Sequence, residues 1–218
     1  MELRSVEELM DLLHACRGVH DTAELAPSRL RPGGGTPSGD PVDLHDHALQ
    51  TAALLRRGHP SDKELQVAGL VHDIGHLLRP GDEAGHADLA ADAVRPLLGE
   101  RVSGLVRLHV AAERYLAAGS PAQGPAPLAP GGAMTRQEAA AFGHDPLAED
   151  AVTLRQADDA GRVPGLYAGD MEDWRTLLEL VAERSAWTAA RTGTPRHPRR
   201  PDPAADLAER SARLGATD

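Results

Sequence analysis

Apolar residues recur at three- and four-residue spacing through most of the chain, the signature of helices that bury one face. Ser5 with Glu8 three residues on predicts a capped helix start, and Val6, Leu9, Met10 and Leu13 follow on one stripe. A second helix is expected over 42–57, with Leu44, His47, Ala48, Thr51 and Leu55 facing inward and His45 facing away. After a turn at 58–61, Ser61 with Glu64 predicts the capped start of a central helix through 65–78, LQVAGLVHDIGHLL. That stretch is apolar almost all round, yet it carries His72, Asp73 and His76 in its middle.

Further on, His86, Leu89, Ala90, Ala93 and Leu97 share the face of a fourth helix that Gly99 is expected to close. A fifth helix over 100–118 carries Val102, Leu105, Val106, His109, Ala112 and Leu116 at helical spacing. A short helix from Thr135, with Glu138 completing a capping box, precedes one whose stripe is Leu147, Ala151, Leu154, Arg155 and Asp158. Asp159, rotated by roughly 100° from Asp158, points elsewhere. A last helix over 170–187 buries Trp174, Leu177, Leu178 and Val181. No stretch alternates as a strand would, so the fold class expected is all-α, a helical bundle.

Pro and Gly interrupt this pattern at three places. Residues 18–41 read as a long irregular loop and GSPAQGPAPLAPGGA as a second one. Residues 191–218 form a Pro/Arg-rich tail expected to be mobile, which leaves 1–190 as a single helical domain.

Composition narrows the function. Aromatics are 2% of the chain, so Leu, Val and Ala must pack the core, as helix-on-helix packing allows. A net charge of −10 opposes binding to nucleic acid or to an anionic membrane surface. Cys16 is the only cysteine, and the start MELRSVEELMDLL has neither the basic residues nor the apolar run of a signal peptide. A cytoplasmic protein acting on a small molecule is the expectation.

The candidate chemistry lies on the inner faces. His47, His72, His86 and His109, from four predicted helices, join Asp73 and Asp158 as polar residues on otherwise apolar stripes. Burying imidazole and carboxylate side by side is costly unless something pairs with both, and a metal ion does. Six N/O ligands with an adjacent His-Asp pair suit two metals, and the absence of a thiolate favours iron, manganese or another borderline-to-hard ion over structural zinc. His76, one turn after His72, is placed to hydrogen-bond a ligand or metal-bound water, or simply to sit near a helix end. Arg155, one turn before Asp158, suits an anionic substrate group through paired donors, or a salt bridge to a ligand carboxylate.

The order H…HD…H…H…D resembles the HD-domain superfamily, named for the pair that His72 and Asp73 match. DLHDHALQTAALL, VAGLVHDIGHLL, RLHVAAERYL, LAPGGAMTRQEAAAF and LRQADDAGRVPG are together similar to its mixed-valent diiron oxygenase branch, typified by the enzyme that cleaves 2-amino-1-hydroxyethylphosphonate. The resemblance implies two irons, Fe(II)/Fe(III), one held by His47, His72, Asp73 and Asp158 and the other by Asp73, His86 and His109. Asp73 would bridge them; His76, from its place one turn after His72, is the expected catalytic neighbour. The resemblance further implies that O2 and a small hydroxylated substrate, often a phosphonate, meet there and that a C–P, C–C or C–N bond breaks.

Three departures from the branch bear on substrate. Its gating tyrosine and glutamate are matched here by Pro37 and Asp40, and its serine-bearing phosphonate cradle is shortened to PAQGPAPLAPGGA. A substrate-binding lysine is matched by Glu113, which reverses a charge near the expected substrate and favours a cationic or neutral group. The competing readings are a metal-dependent HD phosphohydrolase, using manganese or another divalent ion on a phosphomonoester or nucleotide, and a catalytically silent HD protein that binds a ligand or partner.

Overall fold

The computed structural model describes residues 2–20, 42–119, 132 and 134–192. Pro37, Asp40 and nearly all of PAQGPAPLAPGGA, with the tail beyond 192, lie outside them. Among the described residues there are helices and no strand: α1 (Val6–Ala15), α2 (Leu44–Gly58), α3 (Lys63–Val71), α4 (Ile74–Leu78), α5 (His86–Gly119), α6 (Arg136–Gly143), α7 (Ala148–Ala160), a 3₁₀ turn (Met171–Trp174) and α8 (Arg175–Thr192). The chain separates into two compact units, Met1–Ser185 and Ala186–Asp218. No helix among the described residues is long and apolar enough to cross a membrane.

Helix starts follow side-chain chemistry. Ser5 accepts from the Glu8 amide at 3.1 Å, while the Glu8 carboxylate reaches the amide of Arg4 rather than that of the cap itself. Thr135 and Glu138 form the full reciprocal box expected of them. The start of α3 differs from expectation: Asp62, not Ser61, is the cap, and its carboxylate accepts from Leu65 N at 3.0 Å. A carboxylate one residue later outcompetes the hydroxyl because it also takes both arms of Arg101, at 2.7 and 2.8 Å.

Two boundaries also differ. The expected continuous helix over 65–78 is two helices, α3 and α4, that part at His72 and Asp73. Asp73 takes φ −102 and ψ 5 and caps α4 without a side-chain bond, so its carboxylate is left for the interior. Conversely, the fourth and fifth predicted helices run on as α5, kinked at Gly99, whose φ of 88° only glycine adopts readily.

Leu9, Leu13, Leu55, Leu70, Leu105 and Leu154 are fully buried and form one core with the alanines of α5. Trp174 is buried too, with the Arg56 guanidinium stacked 4.4 Å from its ring centre. Small residues let the backbones close in. A Cβ on Gly75 would lie 1.9 Å from the carbonyl oxygen of His86, so only glycine allows α4 to touch the start of α5 and bring His76 beside His86.

Candidate metal centre

Each inward histidine is set by its helix and then by a backbone carbonyl. The Nδ1–H of His47 donates to Gly161 O at 3.0 Å, that of His72 to Gly69 O at 3.0 Å, that of His86 to Glu83 O at 2.8 Å and that of His109 to Val106 O at 2.6 Å. A carbonyl only accepts, so Nδ1 carries the proton in all four rings and Nε2 is turned inward. The result is two close nitrogen pairs, His47 with His72 at 3.2 Å and His86 with His109 at 3.0 Å.

Carboxylates complete both pairs. Asp158 Oδ1 lies 3.1 Å from His47 Nε2 and 3.7 Å from His72 Nε2. Asp73 divides its oxygens: Oδ2 is 3.4 Å from His47 Nε2 and 3.2 Å from His72 Nε2, while Oδ1 is 3.6 Å from both His86 Nε2 and His109 Nε2. The six side chains thus fall into two ligand groups, His47-His72-Asp73-Asp158 and Asp73-His86-His109, all buried. Atoms that share an ion at about 2.1 Å lie roughly 3 to 4 Å apart, and the separations here, 3.0 to 3.7 Å, fall within that range. The donor set is imidazole and carboxylate with no thiolate, which suits an iron or manganese pair.

Protons balance the charge when no ion does so. Burial opposes charge on His72, yet the Asp73 carboxylate beside it and its bonds to Asp158 and Asp73 hold its pKa up at about 10. His109 goes the other way, driven down to about 3 by burial and then by the charge on His72. Despite their burial, Asp73 and Asp158 are held well below the usual carboxylate range by the imidazoles around them. Ligands poised in this way bind a cation by giving up protons.

Around the groups lie the residues expected to handle substrate. His76 is buried, stacks on His86 with ring centres 4.1 Å apart, and lies 3.9 Å from Asp73 Oδ1 and 3.6 Å from Glu83 Oε2. Arg155 is also buried but is held by three carboxylates: Asp158 Oδ2 at 2.9 Å, Glu113 Oε2 at 3.3 Å and Asp159. Glu113 therefore faces Arg155, while Arg114 pairs with Glu138.

Sequence reasoning missed Arg162. Its Nη2 lies 2.9 Å from Asp158 Oδ1 and 3.9 Å from Asp73 Oδ2, one oxygen of each carboxylate in the first group. The signal was its place four residues after Asp158, obscured because α7 ends at Ala160. His45 is a correction: expected to face outward, it is 3% exposed, with Nδ1 3.2 Å from Asp46 and Nε2 3.4 Å from Arg17. Those two partners draw the ring away from solvent, and helical phase alone did not anticipate them.

The HD-domain pattern matches residues 44–158. The hydroxymethylphosphonate dioxygenase of Gimesia maris is 32% identical over 157 residues, 64% of this chain and 78% of that protein. The [1-hydroxy-2-(trimethylamino)ethyl]phosphonate dioxygenase (glycine-betaine-forming) of Leisingera caerulea is 26% identical over 163 residues, 67% of this chain and 82% of the relative. The chain belongs to the HD-domain family and is an oxygenase of that family.

Proposed function

We propose that the protein is a mixed-valent diiron oxygenase that uses O2 to oxidise and cleave a C–P, C–C or C–N bond in a small hydroxylated phosphonate. The observation that carries this reading is Asp73, one oxygen of which faces each of two buried ligand groups built from imidazole and carboxylate alone. Both relatives named above are dioxygenases of hydroxyphosphonates, which supports the same substrate class. The iron pair, when bound, supplies O2 activation and one-electron chemistry at the carbon bearing the hydroxyl.

The chain's own residues bind, orient and hold protons. His47, His72, Asp73 and Asp158 hold one iron, and Asp73, His86 and His109 hold the other. His76, buried between Asp73 and Glu83, holds a proton at the edge of the second group. Arg162 receives the phosphonate, because it reaches both carboxylates of the first group and is 22% exposed, whereas Arg155 is enclosed by three carboxylates. Three carboxylates around one guanidinium make the Glu113 corner locally negative, which suits a substrate with a cationic or neutral substituent.

Two measurements test this. Iron-loaded protein is expected to consume O2 with hydroxymethylphosphonate or its trimethylaminoethyl analogue and, after partial oxidation, to give the paramagnetic signal of a coupled iron pair. Phosphate release from phosphomonoesters without O2 uptake would overturn the oxygenase reading in favour of hydrolysis. For substrate choice, Glu113→Lys is expected to favour hydroxymethylphosphonate at the expense of the cationic substrate. An unchanged ratio of kcat/KM values removes Glu113 as the selector.

A further inference from the structure

The segment after α7 carries Arg162 but holds little of itself in place. Between Ala160 and the 3₁₀ turn at Met171 there is no helix, and Val163, Leu166 and Tyr167 are 46%, 50% and 75% exposed. One backbone turn bond, Leu166 N to Val163 O at 3.2 Å, lies within it. With so little apolar burial, such a segment opens easily unless something else fixes it.

That fixture is Gln50. It lies on α2 three residues after His47, on the same face, and is 2% exposed. Its Nε2 donates to Val163 O at 2.9 Å and to Leu166 O at 3.2 Å, and its Oε1 accepts from Val163 N at 2.9 Å. Both amide hydrogens and the amide oxygen are thus spent on one short stretch of backbone. On the other side of Arg162, Gly161 is gripped as well. Its carbonyl accepts from His47 Nδ1 at 3.0 Å, and a Cβ there would lie 2.5 Å from Thr51 Oγ1. Arg162 is flanked on both sides by residues tied to α2.

We propose that Gln50 is a positioning residue: it clamps 163–166 to α2 and thereby holds the Arg162 guanidinium against Asp158 and Asp73. This rests on the reading of Arg162 as the seat of the substrate's anionic group. The clamp sets the distance between that seat and the metal ligands, because His47 and the clamp share one turn of α2. A merely structural tie would affect stability; a positioning role affects substrate affinity through Arg162.

The test is a double-mutant cycle of Gln50→Met, which keeps the side-chain volume and removes all three bonds, with Arg162→Ala. The iron-loaded protein is used throughout. Methylphosphonate affinity is read by calorimetry, KM and kcat by O2 uptake with hydroxymethylphosphonate, bound metal by mass spectrometry, and the Val163 amide by hydrogen exchange. Arg162→Ala is expected to weaken methylphosphonate about tenfold or more. Gln50→Met is expected to weaken it several-fold, raise KM with kcat within about twofold, keep the metal, and speed Val163 exchange at least tenfold. The double variant is expected to be no weaker than Arg162→Ala alone. Losses that multiply overturn the inference and leave the seat at Arg162 standing, as does a Gln50→Met variant that loses metal or changes kcat alone. An Arg162→Ala variant that binds methylphosphonate normally overturns the seat, and the inference with it.

Discussion

Arg101 and the candidate metal centre each gather side chains from α3, α5 and α7, about two to three turns apart along each. At one end Arg101, near the Gly99 kink of α5, takes Asp62 at the start of α3 through both arms and Asp150 at the start of α7 at 2.8 Å, with Glu64 at 3.4 Å. At the other end His72, His109 and Asp158 stand on or just past the same helices, eight to ten residues on, which is about 12–15 Å of helix. α3, α7 and the part of α5 after Gly99 therefore run from the Arg101 clasp to the candidate metal centre. The clasp is open to solvent, its arginine being 30% exposed, and a network of this kind is worth about 1 kcal/mol. Asp73 is 7% exposed, and a carboxylate so enclosed costs several kcal/mol unless a strong positive charge meets it. The clasp is satisfied by an arginine; the centre asks for ions. The same residue types thus serve structure at one end and chemistry at the other, and access to water decides which.

The contrast can be broken most sharply at Asp73. Asp73→Ala is expected to lose both ions and at least a hundredfold in O2 uptake, whereas His86→Ala keeps the first group and loses one ion. Metal analysis of the two purified variants distinguishes them, and equal metal loss would show that Asp73 is not shared. Next in size is metal removal. Stripping two ions, each present at a hundred times its Kd, removes about 2.7 kcal/mol per site and so about 5 kcal/mol together, or roughly 10–20 °C in Tm, measured by scanning calorimetry with and without chelator.

A smaller effect is expected at the clasp. Arg101→Met is expected to cost about 1 kcal/mol at pH 7, read from urea midpoints. Burial would raise the Asp62 carboxyl, but bonds from Arg101 and the Leu65 amide hold it below its ordinary value. A depressed carboxyl contributes stability above its unfolded value near 3.9 and loses it as pH falls through the lower folded value. The difference between wild type and Arg101→Met should therefore shrink at pH 3. Smallest is the salt effect: at 1 M NaCl, where charges are screened within about 3 Å, the Arg101 increment should fall by about half while the bound metal is unchanged.

Much of this was legible in the chain. His47, His72, His86, His109 and Asp158 were found because helical phase puts each on an apolar stripe, where a polar residue stands out. Arg162 and Gln50 were not, because each acts through a segment without periodicity whose path no pattern predicts. The break at His72 and Asp73 was hidden as well: the apolar pattern runs on through it, although Asp73, Ile74 and Gly75 are weak helix formers, and Gly75 packs against His86 just past the point where the two helices part. His45 and Asp62 show the same limit on a smaller scale, since Arg17 and Arg101, which settle their roles, lie 28 and 39 residues away.

By itself, then, the sequence determined which helices form, which faces turn inward and that those faces carry imidazole and carboxylate, because these follow from spacing within one helix. Tertiary structure decided that one oxygen of Asp73 faces each of the two groups, which carboxylates Arg155 and Arg162 meet, and what Glu113 faces. Those depend on distances between residues far apart in the chain, and only the packing of α2, α3, α5 and α7 sets them.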